Sequence, residues 1–306
     1  MKISGFSFVR NAIELDYPVV ESIKSVLPLV DEFVIACGDS TDGTTELIRS
    51  IGDPKIKIIE TVWNPEDFVH GRSNAVQTNI ALDACTGDWC LYLQADEVIH
   101  EKYLMVIKKA CEKYLDDKRV EGFLFSYKHF WGDYRHYQWT HHWYRREIRV
   151  VRNGIGVRSW QSAQGFRING RKMRVIQIPA EIFHYGWVRN PLKMRKKMIA
   201  LDTVHHGEKE ARRRNAPEHI PFDYGIPDHL AVYHGTHPAV MRERIARKDW
   251  DWIPETPVRH KHDKLWVRLW SWIENEILGF RIGEYKNYIR LGYDHTLGQY
   301  VGKPLG

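Results

Sequence analysis

Long apolar runs are absent from this 306-residue sequence. No window approaches the roughly 18 to 20 consecutive apolar residues that a membrane-spanning helix needs. The apolar stretch at residues 3–9 is interrupted by Arg10 and Asn11, and no small-residue cleavage site follows it. We therefore expect neither a signal peptide nor a transmembrane helix. With 43% hydrophobic and 27% charged residues, the composition also excludes the disordered and collagen-like classes.

Cysteine is scarce. The chain has four, at Cys37, Cys85, Cys90 and Cys111, and no two of them have the two-residue spacing of zinc or redox motifs. We expect reduced thiols in the protein core, which favours a cytoplasmic location. The inner face of the membrane is the alternative, because part of the chain is basic.

Charge is unevenly distributed along the chain. The total is +6, but residues 1–100 carry a net charge of −9 and residues 101–306 a net charge of +15. This asymmetry indicates that the second part faces an anion, such as a phosphorylated ligand, nucleic acid or an anionic membrane. A solvated basic surface is the simpler interpretation.

Short apolar runs alternate with amphipathic stretches over the first hundred residues. This order predicts an α/β fold with a Rossmann-like, mostly parallel sheet flanked by helices. The predicted strands are 3–9, 33–37, 56–59 and 89–93, and the helices between them lie near 19–27, 44–51 and 73–84. Ligand crevices in such sheets form at the carboxyl ends of the strands, so residues 39–42 and 96–97 should be neighbours.

The pattern changes twice along the rest of the chain. Strands are predicted at 123–127, 147–151, 173–178 and 182–184, and after Trp187 the pattern becomes helical and basic. We divide the chain into the first half of a domain (1–100), the second half of the same domain (101–188) and a basic, Trp-rich helical C-terminal extension (189–306). In this extension Trp266, Trp270, Ile273 and Ile277 share one helical face. We expect this face to pack on the preceding domain, with a homodimer contact and peripheral membrane contact as alternatives.

Four short motifs occur in a fixed order. They are Val-Arg-Asn at 9–11, Gly-Asp-Ser-Thr-Asp-Gly-Thr at 38–44, Gly-Asp-Trp at 87–89 and Gln-Ala-Asp-Glu at 94–97. The set resembles bacterial-type family-2 glycosyltransferases of the GT-A fold, well over residues 3–100 and thinly to His184. The resemblance implies a hexosyltransferase-like enzyme of polysaccharide biosynthesis. It would move a sugar from a nucleotide-diphosphate sugar to a glycan, lipid-linked or small-molecule acceptor, with inversion at the anomeric carbon. In such an enzyme, residues 1–100 would be the nucleotide-sugar-binding half of the catalytic domain and residues 101–188 its acceptor-side half.

Asp96 is the first candidate catalytic residue, expected at an open strand end. The leaving diphosphate develops negative charge, which Mg²⁺ or Mn²⁺ held by carboxylates offsets. The aspartate-x-aspartate of the family is Gln94-Ala95-Asp96 here, so one carboxylate is missing, and Gln94 and Ala95 are expected beside the donor. Glu97 either compensates as a ligand or faces the acceptor. By the resemblance, His184 would complete the metal shell or donate to the diphosphate.

The same resemblance implies contacts to the rest of the donor. The segment from Phe6 to Asn11 would line the base pocket, with Arg10 and Asn11 at its edge, and Arg72 would contact the diphosphate. Asp39 follows the second strand, and its carboxylate can accept hydrogen bonds from a base or a ribose hydroxyl. Simple turn chemistry is the alternative role for Asp39.

The general base is harder to assign, because the acidic pair of the family beyond the fourth strand is not recognisable. Glu147 and Asp133 are the candidates, each with a salt-bridge or turn role as the alternative. The missing carboxylate keeps open a non-catalytic nucleotide-sugar or glycan-binding protein of the same fold. A nucleic-acid-binding protein is the second rival, supported by the +15 charge alone, and we expect no nucleic acid partner.

Overall fold

A central β-sheet organises the residues described by this computed structural model, which are 1–252, 260–278 and 281–305. Its first four strands are β1 (Ile3–Val9), β2 (Glu32–Cys37), β3 (Ile56–Glu60) and β4 (Trp89–Tyr92). They lie in the order β3-β2-β1-β4, and every neighbouring pair is parallel. β1, β2 and β4 are almost fully buried, as expected for parallel strands covered on both faces.

Four helices belong to this half of the molecule. They are α1 (Val19–Val26), α2 (Thr44–Arg49), α3 (Arg72–Asp83) and α4 (Leu104–Lys113). The strands and helices predicted for the first hundred residues are confirmed with ends that agree to within two residues. The mixed α/β fold class is also confirmed.

The sheet continues beyond β4 with strands of both directions. They are β5 (Glu97–Ile99), β6 (Gly122–Trp131), β7 (His136–Gln138), β8 (Arg146–Arg152), β9 (Val157–Trp160), β10 (Gly165–Ile168) and β11 (Arg171–Trp187). The order beyond β4 is β8-β6-β11-β10-β9. β8 is antiparallel to β4 and β6, whereas β6 and β11 are parallel. The two strands predicted at 173–178 and 182–184 are one 17-residue strand, β11.

The residues after 188 are not wholly helical, which corrects the predicted extension. Its helices are α5 (Pro191–His206), α6 (Glu208–Arg214), α7 (Arg242–Ala246) and α8 (Leu265–Trp272), followed by a π-helical segment at Ile273–Leu278. Two strands also occur, β12 (Ala231–Val232) and β13 (Tyr288–Tyr293). β12 pairs with β7, and β13 pairs in parallel with β11, where Tyr288 joins the buried cluster that contains Met173.

The apolar face predicted on the tail is largely exposed. Trp266 is 78% exposed and Ile277 is 62% exposed. Polar contacts attach the tail instead: Arg281 Nη2 donates to the carbonyl of Thr140 at 2.7 Å, and Glu274 Oε2 lies 2.7 Å from His141 Nδ1. The extension therefore packs on the preceding residues through a different surface. Of the described helices, none has the length and hydropathy needed to cross a bilayer.

Candidate active site

A cavity of about 560 Å³ opens at the carboxyl ends of β1 and β4, where ligand crevices form in α/β sheets. Its walls are the end of β1 with the two residues after it (8–11), residues 94–96 after β4, the end of β11 and the helix α5. The loop after β2 is joined to this wall, because Thr41 N donates to Asn11 Oδ1 at 3.0 Å. Of the candidate site residues, Asn11, Gln94, Ala95, Asp96 and His184 line this one cavity.

A buried ion pair holds the turn after β4. Arg149 Nε and Nη2 donate to the two carboxylate oxygens of Glu97 at 2.8 and 2.7 Å, and both side chains are fully buried. The Tyr127 hydroxyl and the Gln94 backbone N–H also donate to Glu97. Glu97 does not line the cavity. The prediction that it binds a metal or faces the acceptor is therefore wrong, because these four contacts use its carboxylate to fix the turn.

Asp96 is paired with a lysine from α5. Lys197 Nζ donates to Asp96 Oδ2 at 2.8 Å and to the Gly186 carbonyl at 2.7 Å. Burial alone would raise the pKa of Asp96, but the Lys197 ammonium outweighs burial and holds the pKa well below its usual range. Burial and the neighbouring Arg189 lower the pKa of Lys197 to about 8 against the opposing pull of Asp96. Both groups are therefore charged at neutral pH.

Gly186 makes this close approach feasible. A Cβ atom at this position would clash with His184 Nε2 and lie 2.8 Å from Asp96 Oδ2. Contacts of that length are not seen for real side chains. The bare backbone therefore lets His184, Asp96 and Lys197 meet at the end of β11.

A second histidine, His129, fixes the ring of His184. His129 Nε2 lies 2.8 Å from the carbonyl oxygen of Tyr144, which can only accept, so this nitrogen carries a proton. Burial lowers the pKa of both histidines and favours their neutral forms. His129 Nδ1 then accepts from His184 Nδ1 at 2.9 Å. His184 is left with an unprotonated Nε2, 3.8 Å from Asp96 Oδ1.

The predicted divalent metal does not fit this arrangement. Asp96 is already neutralised by Lys197, and Gln94, in place of the second carboxylate, donates its amide to the Ala163 carbonyl at 3.2 Å. The described residues contain no cluster of three or more His, Cys, Asp or Glu side chains suited to a metal ion. Asp96 and His184 alone provide one neutralised carboxylate and one imidazole.

Aromatic side chains from the end of β1 and from the segment after β3 form the part of the cavity on the β3 side of the sheet. Phe8, Trp63 and Phe68 line it, and the ring of Trp63 lies 6.0 Å from that of Phe8. The Arg10 guanidinium lies 5.6 Å from the centre of the Trp63 ring. Asp39 supports this wall from outside the cavity, because it pairs with Arg10 Nε at 3.1 Å and accepts from Trp63 N at 3.2 Å.

Two predicted donor contacts lie elsewhere. Phe6 is fully buried beneath α3 against Tyr92 and Phe166, whereas Phe8, on the same strand face but nearer its carboxyl end, reaches the cavity. Arg72 has a side chain 73% exposed, pairs with Asp67 at 3.1 Å and does not line the cavity. Both predictions are wrong, because the position along the strand or helix decides which side chains reach the crevice.

Glu147 is also outside the cavity, so its predicted role as general base is not supported. It lies on β8 and is 8% exposed, and its Oε2 has no hydrogen-bond partner within the described part of the chain. Burial raises its pKa to about 8, against the opposing effect of Arg149. The second candidate, Asp133, accepts from the backbone of Arg135 and His136 and serves a turn.

Replacing Glu147 by glutamine is expected to flatten the pH dependence of stability. The pKa of Glu147 is higher in the folded protein than in the unfolded chain. The protonated carboxyl therefore contributes its full stabilisation below about pH 4.5, and this contribution is lost as the pH rises to about 8. The loss in the wild type is at most about 5 kcal/mol. Denaturant unfolding from pH 5 to 8.5 measures it. Glu66→Gln, at an exposed site, is the control and should keep the wild-type dependence of stability on pH. The same unchanged dependence in Glu147→Gln would contradict a raised pKa of Glu147.

Lys197 and His129 were not predicted as site residues. The signal for Lys197 is its place in α5, where Met194, Lys197, Met198 and Leu201 follow the spacing of one helical face. A lysine within an apolar stripe must meet a buried partner or incur a large desolvation cost. His129 carries no comparable signal in the sequence.

Comparison with known proteins identifies one family. The glycosyl transferase family 2 model matches residues 17–168. Among solved structures, S. aureus TarS is 18% identical, with 42% of this chain and 22% of that chain covered and a TM-score of 0.30. The mannosyltransferase PcManGT from Pyrobaculum calidifontis, in complex with GDP-Man and Mn²⁺, is 20% identical, with 40% and 34% covered and a TM-score of 0.31.

A third solved structure is glucosyl-3-phosphoglycerate synthase from Mycobacterium tuberculosis in complex with Mn²⁺, UDP and phosphoglyceric acid. It is 18% identical, with 41% of this chain and 42% of that chain covered and a TM-score of 0.26. The chain thus spans between 22% and 42% of the length of these three relatives. A search of curated proteins gave no match. The family model covers residues 17–168, just under half of the chain, and this segment is similar to glycosyl transferase family 2 domains.

Proposed function

We propose that this chain transfers a sugar from a nucleoside-diphosphate sugar to a hydroxyl group of an acceptor, with inversion at the anomeric carbon. The observation that carries the proposal is a single cavity with an aromatic wall at one end and a buried ammonium, that of Lys197, at the other. A nucleoside diphosphate has the matching chemistry, because a base stacks on aromatic rings and a diphosphate is an anion. The family 2 domain supports this type of donor.

The nucleoside fits the aromatic end. Phe8, Trp63 and Phe68 offer ring faces and edges, and Arg10 adds a guanidinium above Trp63. The Trp63 indole N–H is buried and has no acceptor within the described part of the chain. A base carbonyl oxygen is an acceptor of the kind this N–H lacks. Asp39 acts on this wall through Arg10 and Trp63.

The reacting sugar fits between the diphosphate and a second aromatic group. Trp143, Tyr144 and Trp187 line this part of the cavity, and such rings pack on the apolar faces of sugars. The acceptor oxygen attacks the anomeric carbon while the bond from this carbon to the diphosphate oxygen breaks. We assign the acceptor proton to His184 Nε2, which is unprotonated and faces the cavity, and the nearby Asp96 would stabilise the resulting imidazolium.

Nucleoside diphosphates are expected to raise the melting temperature of the protein, because a ligand that binds only the folded state stabilises it. UDP, GDP, ADP, CDP and dTDP form the test panel, each compared with its nucleoside. Binding of one nucleoside diphosphate, together with its release from the corresponding nucleotide sugar by the protein, would support the proposed transfer. Binding with no turnover of any donor would favour the non-catalytic nucleotide-sugar-binding alternative.

Asp39→Ala is expected to weaken binding of that nucleoside diphosphate by about tenfold, because Arg10 and Trp63 lose their shared anchor. The turnover of bound donor should change little, since Asp39 is remote from the reacting carbon. Calorimetric titration and steady-state kinetics measure the two effects. Asp83→Ala, at a surface carboxylate paired with Arg158, is the matched control. A lower kcat with unchanged binding would contradict this role for Asp39.

A further inference from the structure

We propose that the ammonium group of Lys197 is the resident cation of this site, which binds the donor diphosphate and balances its leaving charge without a divalent metal. This inference rests on the proposed function and goes beyond it. Family resemblance leads one to expect a metal at Asp96, whereas this chain provides its own cation from α5, outside the matched residues 17–168.

The carboxylate of Asp96 is already paired with a cation of the chain itself. Asp96 is the acidic side chain that the described residues contribute to the cavity lining, and its Oδ2 is occupied by Lys197 Nζ at 2.8 Å. Gln94, a neutral amide, stands where the family has its first aspartate, and the carboxylate of Glu97 is paired with Arg149. A metal ion would have to displace Lys197 and would then meet a single charged ligand. The donor set thus favours the ammonium over a divalent cation.

Neighbouring groups fix the position of the Lys197 ammonium. Two acceptors, Asp96 Oδ2 and the Gly186 carbonyl, use two of its three N–H bonds. The Tyr17 ring, whose centre lies 4.9 Å from Nζ, covers another side of the ammonium. Lys197 lines the cavity, so the third N–H is available to a ligand oxygen there. Asp96, Gly186 and Tyr17 therefore hold the charge in place before a donor binds.

Positive charge exceeds negative charge among the buried groups around Lys197. Arg189 is fully buried and donates to the same Gly186 carbonyl at 3.1 Å, and its guanidinium lies 5.0 Å from the centre of the Tyr17 ring. Two buried cations, Lys197 and Arg189, thus accompany one buried carboxylate, Asp96. An uncompensated positive charge in a buried position is costly, and an anionic ligand relieves this cost. A diphosphate is the part of the donor that does so.

In the transfer step, the bond between the anomeric carbon and the diphosphate oxygen breaks, and its electron pair stays on the diphosphate. Lys197 stabilises that developing charge through its third N–H and keeps its own proton. This is electrostatic stabilisation by a fixed donor, because Asp96 and Gly186 have already oriented the ammonium. Lys197 contributes no covalent chemistry.

The test measures binding of the tightest nucleoside diphosphate of the panel by calorimetry, in excess EDTA and in millimolar Mn²⁺. We expect the wild-type Kd to differ by less than about threefold between the two conditions. Lys197→Met should weaken binding about 10- to 100-fold in EDTA, because one charge-assisted hydrogen bond is lost. Lys196→Met is the matched control, since the neighbouring Lys196 pairs with Glu14 at the surface and should bind like the wild type. Melting temperatures without ligand show whether each variant folds, and Lys197→Arg, which keeps the charge, should retain more affinity than Lys197→Met.

A second readout does not depend on the nucleotide. The electron paramagnetic resonance signal of free Mn²⁺ should remain unchanged when wild-type protein is added. Loss of this signal, or nucleotide binding that disappears in EDTA, would overturn the inference while leaving the proposed function intact. Equal affinities of folded Lys197→Met and wild type in EDTA would also overturn it. Failure of every nucleoside diphosphate to bind under both conditions would instead overturn the proposed function, and this inference with it.

Discussion

Replacing Arg149 by methionine is expected to lower the free energy of unfolding by about 3–5 kcal/mol. The substitution leaves the fully buried carboxylate of Glu97 without its cation and removes both charge-assisted hydrogen bonds. The guanidinium also lies over the rings of Tyr92 and Tyr127 at 5.1 and 5.3 Å, and these contacts are lost as well. Denaturant unfolding at neutral pH measures the effect.

A double-mutant cycle separates the charge effect from the loss of packing. Glu97→Leu combined with Arg149→Met removes both charges, and this variant should be more stable than either single variant. The pair Asp83–Arg158 is the surface control, because both side chains are more than half exposed and Arg158→Met should cost less than about 1 kcal/mol. Additive effects of the Glu97 and Arg149 substitutions would mean that the two side chains do not act as a pair.

Asp96→Asn is expected to lower kcat/KM for the donor by about 100-fold or more, equivalent to about 3 kcal/mol of transition-state stabilisation. The amide cannot balance the charge of Lys197, so the ammonium is no longer held at the cavity. Stability should fall too, since a buried cation loses its partner. The sequence placed Asp96 at an open strand end, where substitution would leave the fold intact, but its carboxylate is 6% exposed and paired.

The double variant Asp96→Asn/Lys197→Met distinguishes the two effects of this substitution. Without the ammonium, the destabilisation of the single variant should largely disappear, whereas activity should not return. Activity is measured as release of the nucleoside diphosphate, and stability as the melting temperature of each variant. Near-wild-type turnover of Asp96→Asn at saturating donor would contradict a role for Asp96 in the transfer.

The parts of the site that follow a strand were accessible from the sequence. Strands β1 and β4 have apolar sequences with clear ends, and Asn11 and Asp96 come directly after them, so their meeting at one crevice follows from the topology. The order of the four motifs along the chain was enough to indicate the family. These features depend on local pattern and on the rule for parallel sheets.

The partners of those residues were not accessible, because they depend on long-range packing. Arg149 meets Glu97 across 52 residues, and Lys197 meets Asp96 across 101. An acidic residue after a strand has the same local pattern whether it faces a ligand, as Asp96 does, or an arginine, as Glu97 does. The choice is made by the chain segment that packs against it.

The two walls of the cavity are held by different kinds of contact. β11 carries His184 and is hydrogen-bonded to β6 along much of its length and to β5 on its other edge near the cavity. The facing wall is α5, and Lys197 ties it to the sheet through Asp96 and Gly186. These two bonds fix the position of α5 relative to the strand that bears His184. A diphosphate that enters the cavity therefore meets a binding site that is already formed, so that little binding energy is spent on rearranging the protein.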